Sequence, residues 1–330
     1  MSVSTPHRII IDCDPGHDDM AAILLAASHP AIRIEAITTV CGNASLENTT
    51  RNAVRIVEAF GLDVPVHAGA VLPLLHRYEF PAAFHGPSGL DSSGVELPQT
   101  DRKADAVGAV EAIIAKVDAN PGEITLVVTG PMTNAAMAFL QEPALAKALK
   151  RMVLLGGNFI TPGNITPLSE YNIWADPEAA RVVLNQGVDT ILVPLDVCED
   201  NRAAASMLTR DDLADLKDAG DHPVLQMLQD SFPIYIDIWR EFFDLVGFPM
   251  DDIITVALAF DPTLCTMTEP LFCDIVLDGR VARGQTVAYR GRQLLPGGGP
   301  KTTRICTDID GRRFMKLFKE TIVRYQTAKA

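Results

Sequence analysis

The chain has 330 residues, 48% of them apolar and 21% charged, with a formal charge of −14 at pH 7. That length and apolar content suffice for one large α/β domain or two smaller ones, while the acidic balance and the scattered Lys and Arg exclude a nucleic-acid-binding face or an anionic membrane surface. Residues 1–8 hold no apolar signal core, no run of 18 apolar residues occurs, and the six cysteines (13, 41, 198, 265, 273, 306) show no CxxC or Cys/His metal spacing, so free thiols in a cytoplasmic protein are expected.

The first predicted element is a strand over 8–13, Arg8-Ile-Ile-Ile-Asp12-Cys13. Asp14-Pro-Gly-His-Asp18-Asp19 follows at once and opens a predicted helix over 18–28. Four aspartates thus fall within eight residues, with no Lys or Arg in the run between Arg8 and Asp19. The Pro-Gly pair suits a tight strand-to-helix turn. Carboxylates at contact distance repel by about 1 kcal/mol in water and several times more near a protein surface, so a fold that keeps such a cluster needs a positive charge in it. A divalent cation fits, and oxygen-only donors favour Ca²⁺ or Mg²⁺ over zinc. The plainer alternative makes Asp18 and Asp19 helix-start acids and Asp12 and Asp14 turn residues. It accounts for any two of the four, not for all of them behind one apolar strand.

Further strands are predicted at about 32–40, 64–68, 124–129, 151–155 and 189–195, with helices at about 46–60, 105–118, 131–148 and 176–187. The last helix has Asp176 as N-cap, Pro177 at its first position and Gly187 beyond its end. This alternation predicts an α/β fold with a mostly parallel central sheet flanked by helices. Ligands of such sheets lie outside the carboxyl ends of the strands. That edge would gather Asp14, Asp18, Asp19, Asn43, Thr129-Gly-Pro and Gly156-Gly157-Asn158.

Residues 72–103 form a long connection containing Phe84-His-Gly-Pro-Ser-Gly-Leu-Asp-Ser-Ser-Gly94, a length typical of active-site lids or disorder. A helical region follows over 207–260. Its segment 232–248 carries Phe232, Tyr235, Trp239, Phe242, Phe243 and Phe248, a core or subunit-contact stripe by default with some members open to line a pocket. Shorter strands after 268 and a helix over 311–326 complete the chain. No repeat, low-complexity tract or linker divides it, so residues 1–330 are expected to form a single domain.

Asp12-Cys-Asp14-Pro-Gly-His-Asp18-Asp19 resembles the DxDPGxDD signature of the inosine-uridine-preferring nucleoside hydrolases. Ala36-Ile-Thr-Thr-Val-Cys-Gly-Asn43, Val128-Thr129-Gly-Pro-Met-Thr-Asn134, Leu154-Leu-Gly-Gly-Asn158, Gly163-Asn164 and Glu170-Tyr-Asn172-Ile-Trp-Ala-Asp-Pro-Glu178 resemble further blocks of that family, in its order and spacing from residue 8 to about 310. The resemblance implies the Rossmann-like nucleoside hydrolase fold and one Ca²⁺. It also implies cleavage of a ribonucleoside into ribose and free base by a homodimer or homotetramer. By the family pattern Asp14, Asp19, the Thr129 carbonyl and Asp252 hold the ion. Asp14 is also the general base, and Asn43 helps place the water. Asp18 and Asn172 bind the ribose diol, Asn164 and Glu170 reach the 5′-hydroxyl, and Leu155 packs against the sugar. The chemistry is consistent: departure of a base leaves an oxocarbenium-like ribose, and carboxylates stabilise that charge.

One position departs from the pattern. The histidine that commonly precedes the last metal-ligating aspartate, and is credited with protonating the base, is replaced in Asp251-Asp252. Asp251 could serve only if burial or its neighbour raised its pKa. His85 resembles a lid histidine of part of the family, and Tyr235 or Trp239 could contact the base. A base that leaves without protonation is the remaining route. Competing readings are a nucleoside- or ribose-binding protein without catalysis and a haloacid-dehalogenase-type phosphatase. The phosphatase pattern wants Thr or Val where Gly16 stands. EF-hand spacing and GxGxxG are both missing.

Overall fold

The computed structural model describes residues 6–75, 77, 79, 82–91, 97–217, 223–291 and 298–329. Its strands are β1 (His7–Cys13), β2 (Ile32–Thr39), β3 (Val66–Ala68), β4 (Ile124–Val128), β5 (Arg151–Leu155), β6 (Thr190–Val193), β7 (Cys265–Met267), β8 (Phe272–Ile275), β9 (Thr286–Tyr289) and β10 (Thr303–Ile309). Eight of them form one sheet in the order β3-β2-β1-β4-β5-β6-β10-β7, and β8 and β9 pair separately. Every neighbouring pair in the large sheet is parallel except β10 with β7. The expected mostly parallel sheet flanked by helices is therefore present.

Side-chain alternation explains why these strands read as unbroken apolar runs. Ile9 and Ile11 of β1, Val127 of β4 and Val153 of β5 enter one core, with the helices His17–Ser28, Asp251–Leu258 and Gly311–Lys329. Ile10, Leu126, Met152 and Leu154 enter the other, with the helices Ala109–Asp118, Thr133–Gln141 and Pro177–Leu184. Both faces are buried, so neither can be polar. Ile9 and Ile10 are fully buried, and such burial stabilises by about 1.5–3 kcal/mol per side chain.

The chain runs from β1 outward to β2 and β3, then returns to β4 on the other side of β1. The β1/β4 boundary is thus the switch point at which open α/β sheets form their ligand crevice. Asp14 follows β1 and Thr129 follows β4, on the same edge.

Several element boundaries differ from expectation. The helix expected over 131–148 is two, Thr133–Gln141 and Leu145–Ala148. Pro143 lies between them; it lacks an N–H and disfavours helical φ/ψ at Glu142. The helix expected from 105 begins at Ala109 because Asp105 pairs with the sheet edge, its N–H donating to the Val66 carbonyl at 2.7 Å. Pro177–Leu184 has the expected cap: Asp176 Oδ1 accepts the Ala179 N–H at 3.1 Å. A short helix, Tyr171–Ala175, precedes it. The region 207–260 contains Arg210–Lys217, Pro223–Phe243 and Asp251–Leu258, with 218–222 outside the described residues. In the connection 72–103 a short helix, Ala82–His85, is described, while 76, 78, 80–81 and 92–96 lie outside. Among the described residues no helix is long and apolar enough to cross a membrane.

Candidate active site at the switch point

Two helix N-termini converge on the β1/β4 edge. Asp18 and Asp19 open the helix His17–Ser28, and Asp251 and Asp252 open Asp251–Leu258, which packs along it. Helix N-termini favour anionic side chains, which offsets part of the cost of gathering acids there. Asp18, Asp19 and Asp252 bring ligand oxygens within 4.8 Å of one another.

Asp14 sits beside that trio. Its Oδ2 accepts the Asn43 N–H at 2.7 Å. A Cβ at Gly130 would lie 2.6 Å from Asp14 Oδ1, and one at Gly42 would overlap Oδ2, so glycine is required at both positions for this carboxylate to fit. Asp19 accepts the Gly16 N–H at 2.9 Å and the Thr129 hydroxyl at 2.8 Å. The Thr129 carbonyl accepts from Asn172 Nδ2 at 2.7 Å. Asp12 lies one layer behind, its Oδ1 accepting from Thr38 Oγ1 at 2.6 Å and Asn134 Nδ2 at 2.8 Å. It props the turn from below and does not line the cavity.

Burial dominates the electrostatics. It pushes Asp19 up to about 7 and Asp14 and Asp252 well above the usual carboxylate range, with mutual repulsion adding to it. Carboxylates this buried and this close fit a cation that would let them ionise together. The donor set is all oxygen, which suits a hard ion.

A cavity opens over the cluster, lined by polar and apolar side chains together, as small-molecule sites are. Asp18, Asn43, His85, Thr129, Leu155, Asn164, Glu170, Asn172, Trp239, Asp251 and Asp252 all line it, so most of the residues singled out in the sequence meet in one place. Asp14 and Asp19 lie beneath its wall. Tyr235 is not part of that wall: it is buried, and its hydroxyl is 2.8 Å from His17 Nδ1.

Glu170 is placed differently from a simple sugar ligand. Its two carboxylate oxygens accept the N–H groups of Gly157, Asn172 and Ile173 at 2.7–3.1 Å, capping the helix Tyr171–Ala175. The aromatic segment divides. Phe232 and Phe248 stack in the core at 4.7 Å. Trp239 reaches the cavity and meets Phe84 of the short helix Ala82–His85 at 5.5 Å. Phe84 also meets the largely exposed Phe242 at 5.7 Å.

Three lining or supporting groups were not singled out from sequence. His17, inside the signature, is fully buried and stacked at 6.2 Å on His85. Tyr171 lines the cavity and donates its hydroxyl to the Gly42 carbonyl at 2.8 Å. Glu199 lines the cavity beside Asp251. Its position just past a predicted strand end was the available signal. Burial raises Asp251 to about 7 and Glu199 well above its usual range, and the two carboxyls face each other within hydrogen-bonding reach. Burial lowers the pKa of His85, against the opposing charge of Asp18.

A family model described as inosine-uridine preferring nucleoside hydrolase matches residues 9–316. The pyrimidine-specific ribonucleoside hydrolase RihB of Shigella sonnei (strain Ss046) is 35% identical over 318 residues, covering 96% of this chain and 97% of that protein. RihB of Escherichia coli (strain K12) is similar to the same extent. Among solved structures, the plant nucleoside hydrolase PpNRh1 is 31% identical with a TM-score of 0.88, over 96% of this chain and 99% of that one. A purine-preferring ribonucleoside hydrolase from Gardnerella vaginalis is 30% identical with a TM-score of 0.88, over 97% and 99%.

Proposed function

We propose that this chain, which belongs to the inosine-uridine preferring nucleoside hydrolase family and is a ribonucleoside hydrolase, works through a Ca²⁺ held by Asp14, Asp19, the Thr129 carbonyl and Asp252, with Asp14 as general base. The observation that carries this reading is the meeting of Asp18, Asp19 and Asp252 within 4.8 Å at two helix N-termini, under a cavity whose wall contains no Lys or Arg among the described residues. A bound Ca²⁺ would orient the ribose diol and lower the pKa of a water.

The protein's own groups do the rest. Asp14, fixed by Asn43 and by the two flanking glycines, takes a proton from water as the water oxygen bonds to C1′. The C1′–N bond breaks and its electron pair leaves with the base. Such a positioned base typically contributes ~10²–10⁴ in rate. Asp18 binds the diol with Asn172. The Asn172 amide nitrogen is held by Thr129, which leaves its oxygen to accept from a hydroxyl. Leu155 packs against the sugar, and Asn164 and Glu170 form the 5′ end. Phe84 and Trp239 flank the base. The proton it needs comes from Asp251 or from His85, which enters with the lid.

The named relatives act on pyrimidine or on purine ribonucleosides, so both classes belong in the assay. We further propose a single-domain protomer assembling as a homodimer or homotetramer, in the cytoplasm. Six free cysteines support a reducing compartment. Ribose release from uridine, cytidine, inosine and adenosine, with and without chelator, tests the reading. Release that a chelator abolishes and Ca²⁺ restores is expected. Ca²⁺-dependent nucleoside binding with no ribose formed would instead make the chain a binding protein.

A further inference from the structure

We infer that Glu199 is a positioning residue for the ribose 5′ end, locking the Asn164 amide so that one of its N–H bonds stays available to the substrate's 5′-oxygen. The inference rests on the reading that Asn164 meets that hydroxyl.

Asn164 sits at the end of a loop held from one side by the turn after β6. Asp196 in that turn accepts the N–H groups of Phe159, Ile160 and Thr161 at 2.6–3.0 Å, which fixes the loop backbone. Three residues on, Glu199 Oε1 accepts from Asn164 Nδ2 at 2.9 Å. The other end of the amide is held too, because Asn164 Oδ1 accepts the Tyr171 N–H at 2.9 Å.

The two ends of a side-chain amide have nearly the same shape and differ only in donating or accepting. Tyr171 N–H can be satisfied only by the oxygen, which sets the orientation of the amide, and Glu199 Oε1 then receives Nδ2 and holds it there. Nδ2 carries two N–H bonds and Glu199 uses one. The second remains for the cavity that Asn164 and Glu199 both line.

Glu170, the other acid at this end, is poorly suited to that task because both its oxygens cap the helix Tyr171–Ala175. Glu199 is 7% exposed and lies among other acids. Burying a carboxylate there is costly, and its hydrogen bond to a cavity-lining amide gives that cost a purpose.

A substrate-based cycle tests this with the intact enzyme. Values of kcat/KM are measured on uridine and 5′-deoxyuridine for the wild type, Asn164→Ala, Glu199→Leu and Glu199→Gln, or on inosine and 5′-deoxyinosine if uridine is not turned over. Glu199→Leu is expected to lose about tenfold on the ribonucleoside and less than about twofold on the 5′-deoxy analogue, the size of one hydrogen bond. Glu199→Gln, whose amide oxygen still accepts from Asn164, should stay within about threefold of wild type on both. Equal losses of Glu199→Leu on the two substrates overturn the inference. Should that variant not fold, Glu199→Asp withdraws the acceptor and is read by the same comparison. A loss for Asn164→Ala that is the same on both substrates shows instead that Asn164 does not meet the 5′-hydroxyl, and removes the underlying reading together with this inference.

Discussion

The backbone N–H of Asn43 donates to Asp14 Oδ2 at 2.7 Å, tying the loop after β2 to the carboxylate delivered by β1. The neighbouring strands thereby hold one acid in one orientation from two sides, which suits the general-base role proposed for it. Asp14→Asn should lower kcat on any ribonucleoside by at least about 10². Asp19→Asn should do the same and also weaken Ca²⁺ binding in calorimetry. Near-normal turnover by both variants is the outcome that removes the site assignment.

Ion removal should change how stability depends on pH. Burial raises Asp12 to about 6 and Asp19, Glu170 and Asp251 to about 7, from ordinary values of 3.8 for Asp and 4.5 for Glu. Acids whose folded pKa is raised contribute stability that is present below the unfolded value and lost as pH rises through the folded one. The chelated protein should therefore melt at progressively lower temperature between about pH 5 and 8. Ca²⁺ should raise Tm more at the upper end, because it favours the ionised cluster. Thermal scans with chelator and with Ca²⁺ decide it, and a Ca²⁺ effect equal at both ends counts against the site.

The donor of the leaving-group proton can be found by changing the leaving group. Asp251→Asn and His85→Ala each remove one candidate. The variant that removes the true donor should lose about 10²-fold on inosine or uridine and little on p-nitrophenyl riboside, whose phenolate departs unprotonated. Equal losses on both substrate types from a variant indicate damage elsewhere in the site.

Phe84 meets Trp239 at 5.5 Å, Phe242 at 5.7 Å and Phe243 at 6.1 Å, which docks the short helix Ala82–His85, the proposed lid, on Pro223–Phe243. Aromatic pairs contribute about 0.5–1.5 kcal/mol each beyond buried area. Phe84→Ala should raise KM by about tenfold while changing kcat less, since it loosens closure over the base without touching Asp14. An unchanged KM would mean that this contact does not govern the lid.

Much of the fold was legible along the chain. The run Ile9-Ile10-Ile11 identified a strand buried on both faces, and Asp176-Pro177 with Gly187 bounded a helix, because the period of a strand and the cap of a helix are written in neighbouring residues. The split at Pro143 and the late start at Ala109 were missed. In each case one residue, Pro143 or Asp105, follows a partner or constraint that apolar spacing does not report.

The site divides along the same line. By itself the sequence determined that acids would cluster behind β1 at the carboxyl edge of a parallel sheet, since strand, turn and acids are contiguous. The family pattern already pointed to Asp252, and the tertiary structure brings it to Asp18 and Asp19; only the tertiary structure decided that Trp239 rather than Tyr235 reaches the cavity. It also made Glu170 a helix cap and gave Asn164 a partner in Glu199. Those relations depend on strand order and on how Asp251–Leu258 packs along His17–Ser28. They join residues far apart in the chain through distances that no local spacing carries.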